Sequence, residues 1–269
     1  MTGRLLIFGM GYTAGRVAAR LRLEGWQVTG IRRQATDGCL AFDDAVSVKA
    51  AIASATHILS SVPPLAEGGD PVLMQYATDI VANTNCWIGY LSATGVYGDT
   101  QGAWVDEGAT IGLGRRTARA DADKEWQALG SVFRLPGIYG PGRSALDRVQ
   151  SGRAHRIDLP DQVFSRVHVD DIVSGVIAGM NGPSGCYNLA DDTPCSQNDV
   201  IEYACALLGT PLPPMKSLDD AKLLPMARGF YGENRRISNG KAKRLLGWTP
   251  VYSNYKQGLD AILYAVTKD

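Results

Sequence analysis

The chain has no excess of charge of either sign. Lys and Arg total 27, Asp and Glu total 27, and the formal net charge is zero. Such a balance leaves no electrostatic footprint for nucleic acid and no polybasic patch for a membrane surface. Cysteine is scarce: Cys39, Cys86, Cys186, Cys195 and Cys205 are odd in number and contain no C-x-x-C. Neither a disulfide framework nor a zinc site fits that spacing, and free thiols in a reducing cytosol are expected. His57, His155 and His168 stand apart, with no His, Asp or Glu cluster at metal-ligand spacing, so no metal is expected. No apolar run approaches the roughly 20 residues of a membrane span. The opening MTGRLLIFGMG is too short in its apolar part for a signal segment, and a soluble cytoplasmic protein is the expectation.

What is present is a globular composition: 269 residues, 45% apolar and 20% charged, enough for a substantial core in one large domain or two modest ones. LLIFG (5–9) is a short apolar run ending in glycine, as a buried parallel strand does. In TAGRVAARLRLEG (13–25), Ala14, Val17, Ala18 and Leu21 recur at helical spacing and Gly25 stops the pattern. WQVTGI (26–31) then completes a β-α-β unit. The alternation continues through HILSSV (57–62, strand), DPVLMQYATDIVAN (70–83, helix) and CWIGYLSA (86–93, strand). VFRLPGIYG (132–140) and VFSRVHV (163–169) read as further strands, and DDIVSGVIAGM (170–180) as a helix. This pattern predicts an α/β fold with a doubly wound parallel sheet, a Rossmann fold. After residue 190 the character changes to an amphipathic helix (198–209), a proline-rich extended stretch and a short helix near SNGKAKRLLGWTP (238–250). The expected division is a dinucleotide-binding domain over 1–140 and 163–190, with a smaller C-terminal α/β substrate lobe over 141–162 and 191–269.

Gly9, Gly11, Tyr12, Thr13, Ala14 and Gly15 spell G-x-G-x-x-A/G between the first strand and the first helix. Gly9 permits the tight turn, Gly11 lets a pyrophosphate approach the backbone, and a small residue at 14 or 15 lets the helix pack on the strand. The phosphate then meets the unpaired amides and positive dipole of the helix start. Arg16 opposes that dipole unless an anion is bound. At the end of the second strand an NAD site usually carries an acid for the ribose hydroxyl. Here the stretch is VTGIRRQ, and Arg32 and Arg33 suit a 2′-phosphate. NADP is therefore expected in preference to NAD, against the alternative that both arginines are merely solvated.

Five ordered segments carry a resemblance: FGMGYTAGR (8–16), YLSATGVYGD (90–99), FRLPGIYGPGR (133–143), RVHVDDI (166–172), and YNLADDTP (187–194) with SNGKAKRLLGWTP. Together they span nearly the whole chain, which resembles the extended and atypical short-chain dehydrogenase/reductase (NAD-dependent epimerase/dehydratase) superfamily, and within it the YeeZ-like group. The resemblance implies a nicotinamide cofactor, a small-molecule substrate that is phosphorylated or a nucleotide sugar, and a homodimer as a candidate assembly. It implies chemistry by a Ser/Thr, a Tyr and a Lys, in which proton transfer accompanies a hydride carried by the cofactor. It also brings Ser60 and Ser61, at a strand end, close to the cofactor.

Residue by residue, that triad is incomplete. The superfamily's Ser/Thr position falls on Ala93, which leaves the neighbouring hydroxyls of Ser92 and Thr94 as candidates or as ordinary strand-end groups. On RRTARADADKEW (115–126), the tyrosine and lysine positions fall on Arg115 and Arg119. Arg119 keeps a cation for ribose or phosphate but cannot serve as a base. The same helix also reads plainly as a solvated one, with an apolar stripe of Ala118, Ala122, Trp126 and Leu129 and an i,i+4 pair between Arg119 and Asp123. Tyr97, Tyr139 and His168 fall at structural positions of the superfamily's motifs. Arg143, Arg235 and Arg236 read as surface charge or as groups facing an anionic substrate. Two functions follow: an NADP-preferring oxidoreductase, epimerase or dehydratase with a non-standard catalytic set, or a catalytically degenerate dinucleotide-binding redox sensor or regulatory protein.

Overall fold

The computed structural model describes residues 3–114 and 117–267, and of Met226 and Ala227 the backbone only. The chain begins with β1 (Arg4–Phe8), α1 (Tyr12–Leu23), β2 (Gln27–Arg32), β3 (Cys39–Ala41), α2 (Ala45–Ser54), β4 (His57–Ser60), α3 (Pro71–Ala82) and β5 (Trp87–Ala93). A 3₁₀ turn (Thr94–Tyr97), β6 (Trp104–Val105), α4 (Thr117–Gln127) and β7 (Ser131–Leu135) follow. Then come β8 (Gly137–Tyr139), α5 (Ala145–Gln150), β9 (Arg156–Ile157), β10 (Arg166–His168), α6 (Val169–Asn181) and β11 (Cys186–Asn188). The chain ends with α7 (Gln197–Leu208), β12 (Met215–Lys216), α8 (Pro225–Phe230), β13 (Arg236–Ile237), α9 (Gly240–Leu246) and α10 (Tyr255–Val266).

Seven strands form one sheet in the order β11-β7-β5-β4-β1-β2-β3, every neighbouring pair parallel. The order reverses at β1, the arrangement of a doubly wound sheet whose ligands lie beyond the strands' carboxyl ends. Alternation along β1 explains the two cores. Leu5 and Ile7 point to α1 and α6, whereas Leu6 and Phe8 point to a layer containing Val48, Val72, Tyr76 and Trp126 of α2, α3 and α4. A separate cluster joins Tyr139, Leu146, Val200, Ile201, Leu259 and Ile262 across α5, α7 and α10.

Two strand expectations are corrected. VFRLPGIYG is not one strand: Pro136, which has no amide hydrogen to donate, separates β7 in the main sheet from β8, which pairs in parallel with β10. The second run shortens to Arg166–His168, the stretch in register with Gly137–Tyr139. The strands at 39–41 and 186–188 and the helices at 45–54, 225–230 and 255–266 were not read from the sequence. No helix among the described residues is long and apolar enough to cross a membrane.

Candidate active site

The glycine loop takes its shape from two glycines with different reasons. Gly9 has φ +86°, and a Cβ there would lie 2.9 Å from Ser61 Oγ and 3.1 Å from Val62 Cγ2. Conformation and crowding both demand glycine there. Gly11 has an ordinary φ of −84°, and a Cβ there would meet nothing within 4 Å. Nothing in the protein's own packing demands glycine at this second position. Gly15 is likewise open. The helix that follows has Gly11 as its N-cap, no side-chain cap and no acid in its first turn. Its first amides are therefore left for another acceptor.

Around the loop, Thr13 and Ala14 are buried in the first turn of α1. Tyr12 reaches across and its hydroxyl donates to Pro141 O at 3.0 Å. Its ring lies 5.4 Å from the Arg16 guanidinium and 5.7 Å from that of Arg143. Arg16 also meets Asp170 at 3.3 Å, so its charge near the helix start is partly offset. Ser61 Oγ donates to Gly9 O at 2.5 Å. Ser60 is fully buried, and its Oγ has no hydrogen-bond partner among the described residues. Arg32 is laid back on the loop, donating to Met10 O at 2.8 Å, while Arg33 is exposed.

A cavity of about 670 Å³ opens from this loop, passes the carboxyl ends of β5 and β7, and continues among α5, α7 and the 230–237 segment. Gly11 to Ala14, Ser61, Ser92, Ala93, Thr94 and Arg119 all border it. Gly9, Gly15, Ser60, Arg32 and Arg33 do not. Thr94 opens the 3₁₀ turn, and its Oγ1 makes no hydrogen bond among the described residues. Ser92 is engaged differently. Its Oγ donates to Asp123 Oδ2 at 2.6 Å, and the same carboxylate receives Arg134 Nη2 on Oδ1 at 2.7 Å and Arg134 Nε on Oδ2 at 3.1 Å. Arg134 Nη1 donates to the Tyr97 hydroxyl at 2.9 Å, which donates to Asn188 Oδ1 at 2.8 Å. Burial outweighs the Arg134 charge and pushes the Tyr97 phenol upward.

The opening helix turn is also corrected. The expected Arg119–Asp123 pair does not form. Asp123 faces inward to Arg134, and Arg119 Nη1 donates to the Tyr90 hydroxyl at 2.7 Å. The buried face of α4 is Ala120, Ala122, Asp123 and Trp126, with Ala118 and Leu129 only partly covered. Arg115 lies outside the described residues.

The part of the cavity away from the glycine loop is rich in cations. Arg235 donates to Gly98 O at 2.7 Å and to Glu233 Oε2 at 2.8 Å, and Arg236 donates to Gly102 O. These two candidates brace backbone. Buried Arg166 is spent on the carbonyls of Phe164, Cys195 and Ser196 and on Gln197. Arg143 and Arg148 border the cavity, and neither guanidinium has a hydrogen bond or ion pair among the described residues. Burial, with Arg166, Arg143 and Arg153 nearby, lowers the Arg148 pKa, whereas Tyr231 acts the other way. Arg148 and Tyr231 escaped the sequence reading because no local motif marks them.

His168 is not poised as a base. Its Nδ1 accepts from Asp170 N at 3.3 Å, and its ring sits 5.2 Å from Tyr139 and 4.2 Å from Tyr252. Burial, aided by Arg16 and opposed by Asp170, pulls its pKa down to about 4. Among the described residues no group of three or more His, Cys, Asp or Glu side chains is arranged to hold a metal.

The sheet order, the glycine loop and the cavity at the strands' carboxyl ends are those of a Rossmann fold. The chain belongs to the family of a functionally unknown conserved protein from Silicibacter pomeroyi DSS. The two are 41% identical over 98% of this chain and 99% of that one, with a TM-score of 0.88. The human epimerase family protein solved with NADPH has the same fold, at a TM-score of 0.76 and 15% identity over 97% and 99% of the two chains. A 3-diazoavenalumate denitrifying reductase from a Streptomyces species is 31% identical over 142 residues, 48% of this chain. That match spans 46% of the reductase, less than half its length. No family model matches the chain.

Proposed function

We propose that the chain binds a nicotinamide dinucleotide along its glycine loop, NADP in preference to NAD, and acts as an oxidoreductase or epimerase/dehydratase on a small anionic metabolite. The observation that carries this is Gly11. Nothing in the fold requires a glycine there, whereas a pyrophosphate lying on the uncapped start of α1 would occupy the space a Cβ takes. The NADPH-bound human relative in fold and the reductase similar over 142 residues support the cofactor class. Gly9 to Gly15 form the cradle, Ser60 and Ser61 lie at the adjoining strand end, and Arg32 and Arg33 serve the 2′-phosphate.

The cofactor, when bound, supplies or accepts the hydride. The chain's own residues bind and orient. Thr94 presents a free hydroxyl to the substrate oxygen, and Arg119 places a fixed positive charge at the cavity wall. Ser92 is the weaker candidate, since its hydroxyl is held by Asp123. Arg143 and Arg148, without counter-ions among the described residues, favour a phosphate or a nucleotide sugar. The substrate lobe in this reading comprises 141–162 and 191–269.

A titration with NADPH and NADH, read by fluorescence, tests the cofactor. A panel of carbonyl compounds and nucleotide sugars, read by loss of NADPH absorbance, tests turnover. Binding of neither dinucleotide sinks the proposal. Binding without turnover across the panel favours the second reading, a dinucleotide-responsive regulatory protein. The arginines at 115 and 119, where the superfamily carries its tyrosine and lysine, are what keep that reading alive.

A further inference from the structure

We infer that Tyr90 is the positioning residue for Arg119, and that the two form a fixed pair holding the dinucleotide at the cavity wall. This rests on the dinucleotide reading above and deepens it. Arg119 borders the cavity, and of its N–H groups only one is spent within the described residues, on the Tyr90 hydroxyl at 2.7 Å. The remaining donors of the fork are available to a ligand.

Tyr90 cannot itself reach a substrate. It is fully buried in β5, and burial drives its phenol upward out of the titrating range despite Arg119. It stays a neutral, fixed acceptor. Its ring stacks on Trp126, with centroids 5.3 Å apart and an interplanar angle of 8°. The Trp126 indole donates to Asp70 Oδ2 at 2.9 Å, and Asp70 Oδ1 caps α3 through Val72 N at 2.9 Å and Leu73 N at 3.1 Å. Asp70, Trp126 and Tyr90 are all buried, so a rigid line of groups runs from α3 to the guanidinium. A free arginine side chain loses substantial rotamer entropy when it binds, and a pre-set one loses less.

A double-mutant cycle on NADPH affinity tests the pair, with thermal melts run on every variant. Arg119→Ala is expected to weaken NADPH about tenfold, the scale of a hydrogen bond to a charged group. Tyr90→Phe, which keeps the ring and its stack, is expected to weaken it about threefold to tenfold. The double variant is expected to bind like Arg119→Ala. A Tyr90→Phe loss that persists undiminished in the Arg119→Ala background shows a merely structural tyrosine and overturns the inference. Arg119→Lys gives a check that leaves the core untouched. Without the rigid fork it is expected to bind NADPH about threefold more weakly or worse, and wild-type affinity overturns the pair. If wild type binds neither dinucleotide, both readings fall; if it binds and the cycle shows no coupling, only this one does.

Discussion

Asp123 holds Arg134 in a two-bond fork at 2.7 and 3.1 Å, and both side chains are closed to solvent, at 0% and 3% exposure. The pair ties α4 to β7, and Ser92 fastens β5 to the same carboxylate at 2.6 Å. Removing one partner strands the other charge in the core. Asp123→Ala is therefore expected to cost roughly 3–5 kcal/mol of stability, seen as a large fall in melting temperature. Ser92→Ala is expected to cost about 1 kcal/mol. If Ser92 serves the helix rather than the chemistry, that variant retains wild-type NADPH affinity and any turnover found.

The two loop glycines separate folding from binding. Gly9→Ala must place a Cβ against Ser61 and Val62 at a positive φ, and a stability loss of about 1–3 kcal/mol is expected in thermal melts. Gly11→Ala meets open space, and its melting temperature is expected to match wild type. Its NADPH affinity is expected to fall by about tenfold or more, because the methyl occupies the pyrophosphate's approach. An unchanged affinity for Gly11→Ala removes the main support for the proposed function.

In the proposed reading, Arg32 and Arg33 decide between the two dinucleotides. The double substitution to alanine is expected to lower NADPH affinity about tenfold and leave NADH affinity within about twofold. Competition titrations of the variant and wild type read the ratio directly. Arg33→Ala alone is expected to account for most of the change, because Arg32 is partly spent on Met10 O.

Asp191 gives the fold an uncommon pH dependence. Burial, against the pull of Arg166 and with Asp192 and Asp171 adding to it, pushes its carboxyl up to about 7. Its Oδ2 has no partner among the described residues. The folded state therefore binds this proton more tightly than the unfolded one. The contribution to stability is greatest below the ordinary carboxylate pKa and is lost as pH rises through 7. Asp191→Asn keeps an acceptor for Thr193 N and is expected to raise stability at pH 8 by on the order of 2 kcal/mol, with little gain at pH 4. His168 acts in the opposite sense. With its pKa drawn down to about 4, its contribution is complete above about 6.5 and is lost as pH falls from there through 4. Melts of wild type and Asp191→Asn across pH 4 to 8 check both signs.

The sequence by itself determined the features set by local backbone chemistry. The glycine loop, the alternation of short apolar runs with helical stripes and the helix start at Asp70 were all legible, because each depends on neighbours a few residues away. That arginines stand at 115 and 119, the positions the resemblance assigns to tyrosine and lysine, was equally plain. Elements of three residues, such as β3 and β11, were not, since so short a run carries no period. The partners of the site's side chains were decided by tertiary structure alone. Read along α4, Arg119 and Asp123 look like a surface pair worth a few tenths of a kcal/mol. In the fold, Asp123 meets a buried guanidinium and Arg119 meets a tyrosine 29 residues away. Burial sets the scale of each choice: an unpaired charge in the core costs several kcal/mol, so the helix turns its acid inward and leaves its arginine to the cavity.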